Sequence, residues 1–339
     1  MTLLARNEAD LIDAHVAFHL NAGVDFIVAI DNGSDDGTTE ILESYARDGY
    51  VDLTREEGEL KQADWVTEMA RRAATDFGAD WVINSDADEF WWPRGGSLKD
   101  VFAAVPAHFG SVRGMWRHFA PRPLGDEFFA ERMTVRILNP GAETNSPYSP
   151  RFKAAHRADP DVTVLPGNHQ VTGRDLVPLG GWYPLDVLHF PIRSLEQARQ
   201  KYLRWWELAP SEFRGAAYDA DRQGRMHQFY ESYVIGDEAL ARGVEDGTLA
   251  IDTRLRDALR ALHSEPRRSM VFDDDAVDAG YLSELAMLED ADPRVLAQHK
   301  ADDLEARLEA LEQRHSARIL SAVSERAHQV SRKSRRIDT

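Results

Sequence analysis

An acidic turn at residues 86–89 (DADE) lies between the apolar run 81–84 (WVIN) and the aromatic run 90–92 (FWW). Two carboxylates two positions apart in such a turn can reach one divalent cation. Oxygen ligands suit Mg²⁺ or Mn²⁺, which often join protein carboxylates to substrate phosphates. The alternative is a solvated acidic loop in which Asp86 only caps a turn. The flanking strand and aromatic residues favour a metal site at Asp86 and Asp88.

A second polar segment, residues 31–38 (DNGSDDGT), follows the apolar run 26–30. Asp31 can accept hydrogen bonds from a base or ribose, and Ser34 or Asp35 can cap the next helix. The alternative is that the whole segment only forms a turn and a helix cap. Its spacing alone does not distinguish this structural role from a nucleotide-binding one. The sequence has neither GxGxxG nor GxxxxGK[ST], which counts against a Rossmann dinucleotide site and a P-loop.

The elements that would position both segments alternate along the first hundred residues. Strands are expected at residues 2–5, 26–30, 51–55 and 80–84. Helices are expected between them, the first capped by Asn7, and they end at Gly23, Gly49 and Gly78. This order predicts an α/β fold with a mostly parallel sheet and helices on both faces.

The rest of the chain changes character. Short β-like runs among Pro and Gly at residues 95–189 predict a mixed sheet extension with long loops, and a helical C-terminal region follows. We divide the chain into a domain at 1–204 (halves 1–93 and 94–204), a helical region at 205–300, and a long charged helix with a basic tail at 301–339.

Composition excludes several functional classes. Lys plus Arg is 40 against 58 Asp plus Glu, a net charge of −18, which argues against wrapping nucleic acid but not against binding a nucleotide. The absence of Cys excludes disulfides, Cys-zinc sites and thiol catalysis. The apolar runs are far shorter than the roughly 18 residues of a membrane span, and charged residues interrupt any signal-peptide core. We expect a cytoplasmic protein.

Residues 3–42 and 81–93 together resemble a GT-A fold glycosyltransferase of the family 2-like group related to family 92. The motifs that carry the resemblance are RNE, DNGSxDGT and the DxD turn in DADEF. It implies a GT-A type, Rossmann-like sheet, with a nucleotide-binding half at 1–93 and an acceptor-side half at 94–204. The segment 188–194 (LHFPIRS) resembles a later segment of the same family.

The resemblance assigns nucleoside contacts to four residues, with Lys61 reaching the ribose or a phosphate. The four are Arg6, Asn7, Glu8 and Asp31. Asp86 also belongs to the donor-binding set. Arg193 and Lys201 would help to neutralise the leaving diphosphate.

The resemblance also assigns the metal ligands. Asp88 would bind directly, Asp86 directly or through water, and His189 would complete the set. A neutral imidazole beside carboxylates suits Mn²⁺ somewhat better than Mg²⁺. The alternative for His189 is a core histidine packed beneath Phe190.

An inverting transfer needs a general base within hydrogen-bond reach of the acceptor hydroxyl. Family 2 enzymes place an Asp or Glu some way after the DxD turn, and Asp175 lies at a fitting distance. His169 is a rival. Taken alone, each fits a structural role better than a catalytic one.

These expectations combine into a metal-dependent glycosyltransferase of the hexosyltransferase type, inverting by direct displacement. It would take a UDP- or GDP-sugar donor and a glycan or other hydroxyl acceptor. One alternative is a nucleotidyltransferase, which would need a Gly-rich, basic loop after the first strand, where this chain has ARNEADL. Another is an inactive scaffold, against which the intact Asp86, Asp88 and His189 count. The terminal helix could join two copies, and the basic tail could contact anionic lipid at the membrane periphery.

Overall fold

The computed structural model describes residues 1–58, 60–123, 127–138, 151–180, 183–208, 230–264 and 270–272. The strands are β1 (Thr2–Ala5), β2 (Ile27–Asp31), β3 (Val51–Arg55), β4 (Trp81–Asp86), β5 (Glu89–Pro93), β6 (Ser111–Ala120), β7 (Val135–Ile137), β8 (Phe152–Arg157), β9 (Thr163–Val164), β10 (Val171–Thr172), β11 (Leu185–His189) and β12 (Leu249–Ile251). The helices are α1 (Ile12–Ala22), α2 (Thr38–Arg47), α3 (Gln62–Thr75), α4 (Leu98–Ala104), α5 (Phe129–Arg132), α6 (Leu195–Leu208), α7 (Asp237–Glu245) and α8 (Arg254–Ser264).

The main sheet joins a parallel half to an antiparallel extension. Strands β3, β2, β1 and β4 are parallel neighbours in that order. The sheet continues through β8, β6, β7 and β12 in antiparallel steps, while β11 lies parallel to β6 and antiparallel to β5. The predicted parallel sheet with a mixed extension is confirmed. Strand order reverses at β1, so the carboxyl ends of β1, β2 and β4 meet at a switch point, where open α/β sheets bind ligands.

Helices cover both faces of the parallel half, as predicted. Along β2, Ile27 and Ala29 belong to the core that contains the buried side chains of α1 and α2. The alternate residues, Val28 and Ile30, pack on the other face with the buried side chains of α3. Because successive side chains of a strand point to opposite faces, a fully buried strand needs a helix layer on each side.

Two predicted helix caps differ from those in the structure. Helix α1 begins after Leu11 with no side-chain cap, because Asn7 adopts φ +55° and lies outside the helix. Helix α2 begins after Gly37, whose φ is +103°, so neither Ser34 nor Asp35 caps it. The predicted stop at Gly23 is confirmed, with φ +118° and its N–H donating to His19 O.

Residues beyond 204 contribute to the main sheet. Helix α6 crosses the boundary we placed there, and β12 pairs with β7 at the sheet edge. Helix α8 is tied to the sheet by Arg254, which donates to Asp186 at 3.0 Å beside the Arg117–Asp186 pair at 2.9 Å. The expected long helix and basic tail at 301–339 lie outside the described residues. Every helix in the described part of the chain is too short or too polar to cross a bilayer.

The glycine at the centre of β6 permits close packing of β5 and β11. A Cβ at Gly114 would lie 2.7 Å from Val187 Cγ2 and 3.1 Å from Trp91 Cζ3. We predict that Gly114→Ala lowers the free energy of unfolding by about 1–3 kcal/mol, since overpacking a well-filled core costs that much. Gly180→Ala is the control, because that glycine has open space around it. Urea denaturation measures both, and equal stability of the two variants would contradict the prediction.

Candidate active site

The two loops that follow β1 and β2 are bound to each other. Asn7 accepts a hydrogen bond from Asp35 N at 3.0 Å through Oδ1, and its own N–H donates to Ser34 Oγ at 3.0 Å. The N–H of Glu8 donates to Thr38 Oγ1 at 2.8 Å. Side chains of both sequence motifs therefore build a rigid rim at the carboxyl edge of the sheet.

Asp31 stabilises this rim through hydrogen bonds to hydroxyl groups of the loop after β2 and the start of α2. Its side chain is fully buried at the end of β2 and accepts hydrogen bonds from the Ser34 hydroxyl and, at 2.5 Å, from Thr39 Oγ1. The sequence suggested a carboxylate that faces a base or ribose. The structure places it within its own turn, because a buried carboxylate at this position takes the nearest hydroxyl donors.

The acidic turn between β4 and β5 meets the end of β11. In the described chain, Asp88, Glu89 and His189 offer ligand atoms within 4.8 Å of one another. Asp88 Oδ2 lies 3.7 Å from His189 Nε2 and 2.7 Å from Lys201 Nζ. The structure thus brings together three residues that the sequence had selected, Asp88, His189 and Lys201.

Asp86 is not part of that group of three. Its Oδ2 accepts from Lys153 Nζ at 2.7 Å, and its Oδ1 accepts from Asn168 at 3.1 Å and from Gln62 at 3.2 Å. The side chain keeps 28% of its surface exposed. Asp86 is therefore a positioned carboxylate beside the expected metal ligands, and Glu89 takes its place in the cluster.

Lys153 was missed by the sequence analysis. Its ammonium is 1% exposed and also contacts Glu89 Oε1 at 2.7 Å and the Gly167 carbonyl at 2.6 Å. It lies 4.8 Å from the centre of the Trp116 ring. In the run FKAAHR, a lysine next to small residues is typical of the solvent face of a strand. No local signal indicated that the carboxylates of Asp86 and Glu89 would cover it.

The charges around the turn shift its pKa values. Burial alone would raise the pKa of Asp88, but the charge of Lys201 holds that pKa well below its usual value. Burial raises the pKa of Glu89 to about 8 against the opposing charge of Lys153. Burial also raises the pKa of Glu8 to about 7, offset in part by Arg193. Asp88 is thus ionised at neutral pH.

His189 is held as a neutral, oriented imidazole. Its ring stacks on Trp116 at a centroid distance of 4.3 Å, and its Nδ1 lies 3.0 Å from His118 Nδ1. Burial lowers the pKa of His189, with Asp88 acting in the opposite direction. The pairing through Nδ1 leaves Nε2 to face Asp88, the orientation that a metal ligand needs.

Arg193 is a structural clamp. Its buried guanidinium donates to Asp10 at 2.7 and 2.9 Å and also pairs with Glu8. This contact joins the loop after β1 to the loop after β11. Both Arg193 and Glu8, expected to contact the donor, are thereby engaged with each other.

The structure separates the two candidate bases. Asp175 is exposed, and its carbonyl oxygen lies 2.2 Å from the position that a Cβ on Gly110 would take, at the amino end of β6. His189 pairs with His118 at the other end of that strand, roughly 23 Å away at about 3.3 Å per residue. Asp175 is therefore not brought to the cluster.

His169 does lie beside the cluster. Its ring is 5.2 Å from the Trp116 ring, and its Nδ1 donates to Phe152 O at 2.7 Å. Burial, aided by the charge of Lys153, lowers the pKa of His169 to about 4. Its Nε2 therefore carries a lone pair at neutral pH.

Arg6 and Lys61 are both exposed. Arg6 follows β1 directly, and Lys61 precedes α3, whose first residue Gln62 contacts Asp86. Both cations lie near the carboxyl edge, where an anionic ligand could reach them.

Comparison with known families matches residues 4–135 to the family model described as Glycosyl transferase family 2. No curated protein matches the sequence significantly.

Solved structures match weakly. S. aureus TarS 1-349 matches at 15% identity and a TM-score of 0.28, over 60% of this chain and 64% of that one, slightly less than two thirds of its length. TarS 1-349 in complex with UDP-GlcNAc matches at 13% identity and a TM-score of 0.27, over 83% and 90% of the two chains. A putative glucose-1-phosphate thymidylyltransferase from Bacillus anthracis matches at 8% identity and a TM-score of 0.24, over 70% and 85%.

The buried position of Asp31 generates a prediction. Asp31→Ala should lower the free energy of unfolding by about 1–3 kcal/mol, because it leaves the buried Thr39 hydroxyl without its acceptor. Asp35→Ala, at an exposed side chain in the same loop, should change stability by less than about 0.5 kcal/mol. Chemical denaturation compares the two. An Asp31→Ala variant of unchanged stability would show that this carboxylate is not needed by its turn.

Proposed function

We propose that this chain is a glycosyltransferase of the family 2 type that takes its sugar from a nucleotide-sugar donor. The observation that carries the proposal is the convergence of Asp88 and His189 at the switch point of the sheet. The family match at residues 4–135 covers the end of β1, all of β2 and β4, and the turn that carries Asp88, while β11 with His189 lies beyond it. Enzymes of this class need a site that holds a diphosphate at such an edge, and a carboxylate–imidazole pair can do so through a cation.

The residues at the site fit a divalent metal ion. An ion about 2.1 Å from each ligand can bridge atoms up to about 4.2 Å apart, and Asp88 Oδ2 and His189 Nε2 are 3.7 Å apart. Both oxygens of Glu89 already accept hydrogen bonds, from Trp116 Nε1 at 2.8 Å and from Asp86 N at 3.2 Å. We therefore assign the protein ligands to Asp88 and His189, a donor set that suits Mn²⁺ or Mg²⁺. Such an ion would stabilise negative charge on a leaving diphosphate.

Other residues near the turn would contact the sugar and the nucleotide of the donor. Asp86 is fixed by three donors and partly exposed, and we propose that its remaining lone pair would accept a hydrogen bond from a sugar hydroxyl of the donor. Arg6 and Lys61 are the exposed cations of the rim and would contact the nucleotide. UDP- and GDP-sugars are the donors we propose.

His169 is the base that we propose for an inverting displacement. Its unprotonated Nε2 would take the proton of the acceptor hydroxyl as that oxygen attacks the sugar carbon and the nucleoside diphosphate leaves. The partly exposed face of His169 beside Trp116 supports this role, because an acceptor must enter from solvent. The acceptor that we propose is a glycan or another hydroxyl compound.

Metal-dependent nucleotide binding tests the proposal. Asp88→Asn should weaken the affinity for UDP or GDP in the presence of Mn²⁺ by at least tenfold, about 1.4 kcal/mol. The reason is that the variant lacks the charged carboxylate that would bind the metal ion. Asp48→Asn, at an exposed position after α2, removes the same charge outside the site and should bind as the wild type does. Isothermal titration with and without Mn²⁺ measures both. Wild-type protein that binds neither nucleotide would contradict the proposed function.

A further inference from the structure

A lysine competes with the proposed metal for one oxygen atom. Lys201 Nζ donates to Asp88 Oδ2 at 2.7 Å, and His189 Nε2 faces that same oxygen at 3.7 Å. The ammonium also donates to the Pro191 carbonyl at 3.2 Å. Lys201 thus lies on the oxygen that an ion shared by Asp88 and His189 would use.

Two cations on this one oxygen would repel each other. An ion bound about 2.1 Å from Asp88 Oδ2 would face the ammonium on the same oxygen, with strong repulsion in a partly buried site. Asp88 itself cannot lose both partners, because an unpaired buried carboxylate is costly. One cation must therefore replace the other.

The two lysines at the turn differ in their freedom to move. Lys153 is 1% exposed and has three oxygen acceptors for its three N–H donors, on Asp86, Glu89 and Gly167. The side chain of Lys201, on α6, is 34% exposed, and its ammonium is carried by a flexible four-carbon stem. Lys201 is the cation that can leave.

We propose that Lys201 is an exchangeable counter-ion. It neutralises Asp88 while the site is empty, yields that oxygen to the metal ion, and then carries its charge to the diphosphate held by the ion. This inference rests on the proposed function, and it goes further by giving Lys201 two successive partners. If this is so, removing the charge of Lys201 should strengthen the binding of the metal ion and weaken the binding of the nucleotide.

Lys201→Met, which removes the charge and keeps most of the apolar stem, tests the exchange. We expect Mn²⁺ alone to bind this variant at least threefold more tightly than wild type, because its competitor is gone. We expect UDP or GDP at saturating Mn²⁺ to bind at least fivefold more weakly, because a phosphate partner is gone. Electron paramagnetic resonance of free Mn²⁺ measures the first affinity and calorimetry the second.

Lys99→Met is the matched control. Lys99 is an exposed lysine paired with Asp25, so the variant changes the net charge equally and should alter neither affinity. Lys201→Gln repeats the test if Lys201→Met does not fold, as judged by circular dichroism and thermal melting without ligand.

The outcomes separate the two claims. Opposite shifts in the two affinities support the exchange. Mn²⁺ affinity that stays equal or falls in the Lys201 variants would overturn it, as would unchanged nucleotide affinity. Wild-type protein that binds neither Mn²⁺ nor nucleotide would instead refute the proposed function, and the exchange with it.

Discussion

Three carboxyl groups at the carboxyl edge of the sheet, the buried Asp88 and the partly buried Glu8 and Asp86, are each paired with a cation from far along the chain. Arg193 pairs with Glu8 across 185 positions, Lys153 pairs with Asp86 across 67, and Lys201 pairs with Asp88 across 113. A buried carboxylate left without a partner costs several kcal/mol. This charge balance fixes where β8, β11 and α6 must lie relative to the first four strands.

The cations differ in what they allow the site to do. Arg193 and Lys153 are almost fully buried, and they hold the loop after β1 and the side chain of Asp86 in place. Such fixed groups preorganise a site, because no rearrangement is needed when substrate charge appears. Lys201 is more exposed and pairs with the carboxylate that faces His189. A buried cation, Lys153, and a more exposed one, Lys201, therefore contact carboxylates of the same turn.

Local patterns in the sequence predicted much of the fold. The apolar run of β2, the stop at Gly23 and the alternation of strands and helices depend on neighbours along the chain, and all are confirmed. Asn7 follows the helix-cap pattern, but its side chain instead accepts a hydrogen bond from Asp35 N in the loop after β2. A local cap signal cannot show that a second loop competes for the same amide.

The site was harder to predict because its contacts are long-range. The motifs and the resemblance selected Asp88 and His189, which the structure brings together. Asp175 also lay at a fitting distance along the chain, yet chain distance does not tell which end of a strand a loop will reach. Lys153 belongs to no motif, because its role depends on carboxylates of two other strands, β4 and β5.

Long-range charge pairs hold the edge of the sheet together, and the Asp86–Lys153 pair offers a direct test of their contribution. A double-mutant cycle would combine Asp86→Asn with Lys153→Met and measure each free energy of unfolding by urea denaturation. We predict a coupling of about 2 kcal/mol, within the range found for residues in one ion-pair network. In a parallel cycle, Asp48→Asn with Lys153→Met should be additive. Additive effects in the Asp86–Lys153 cycle, within about 0.5 kcal/mol, would contradict the account.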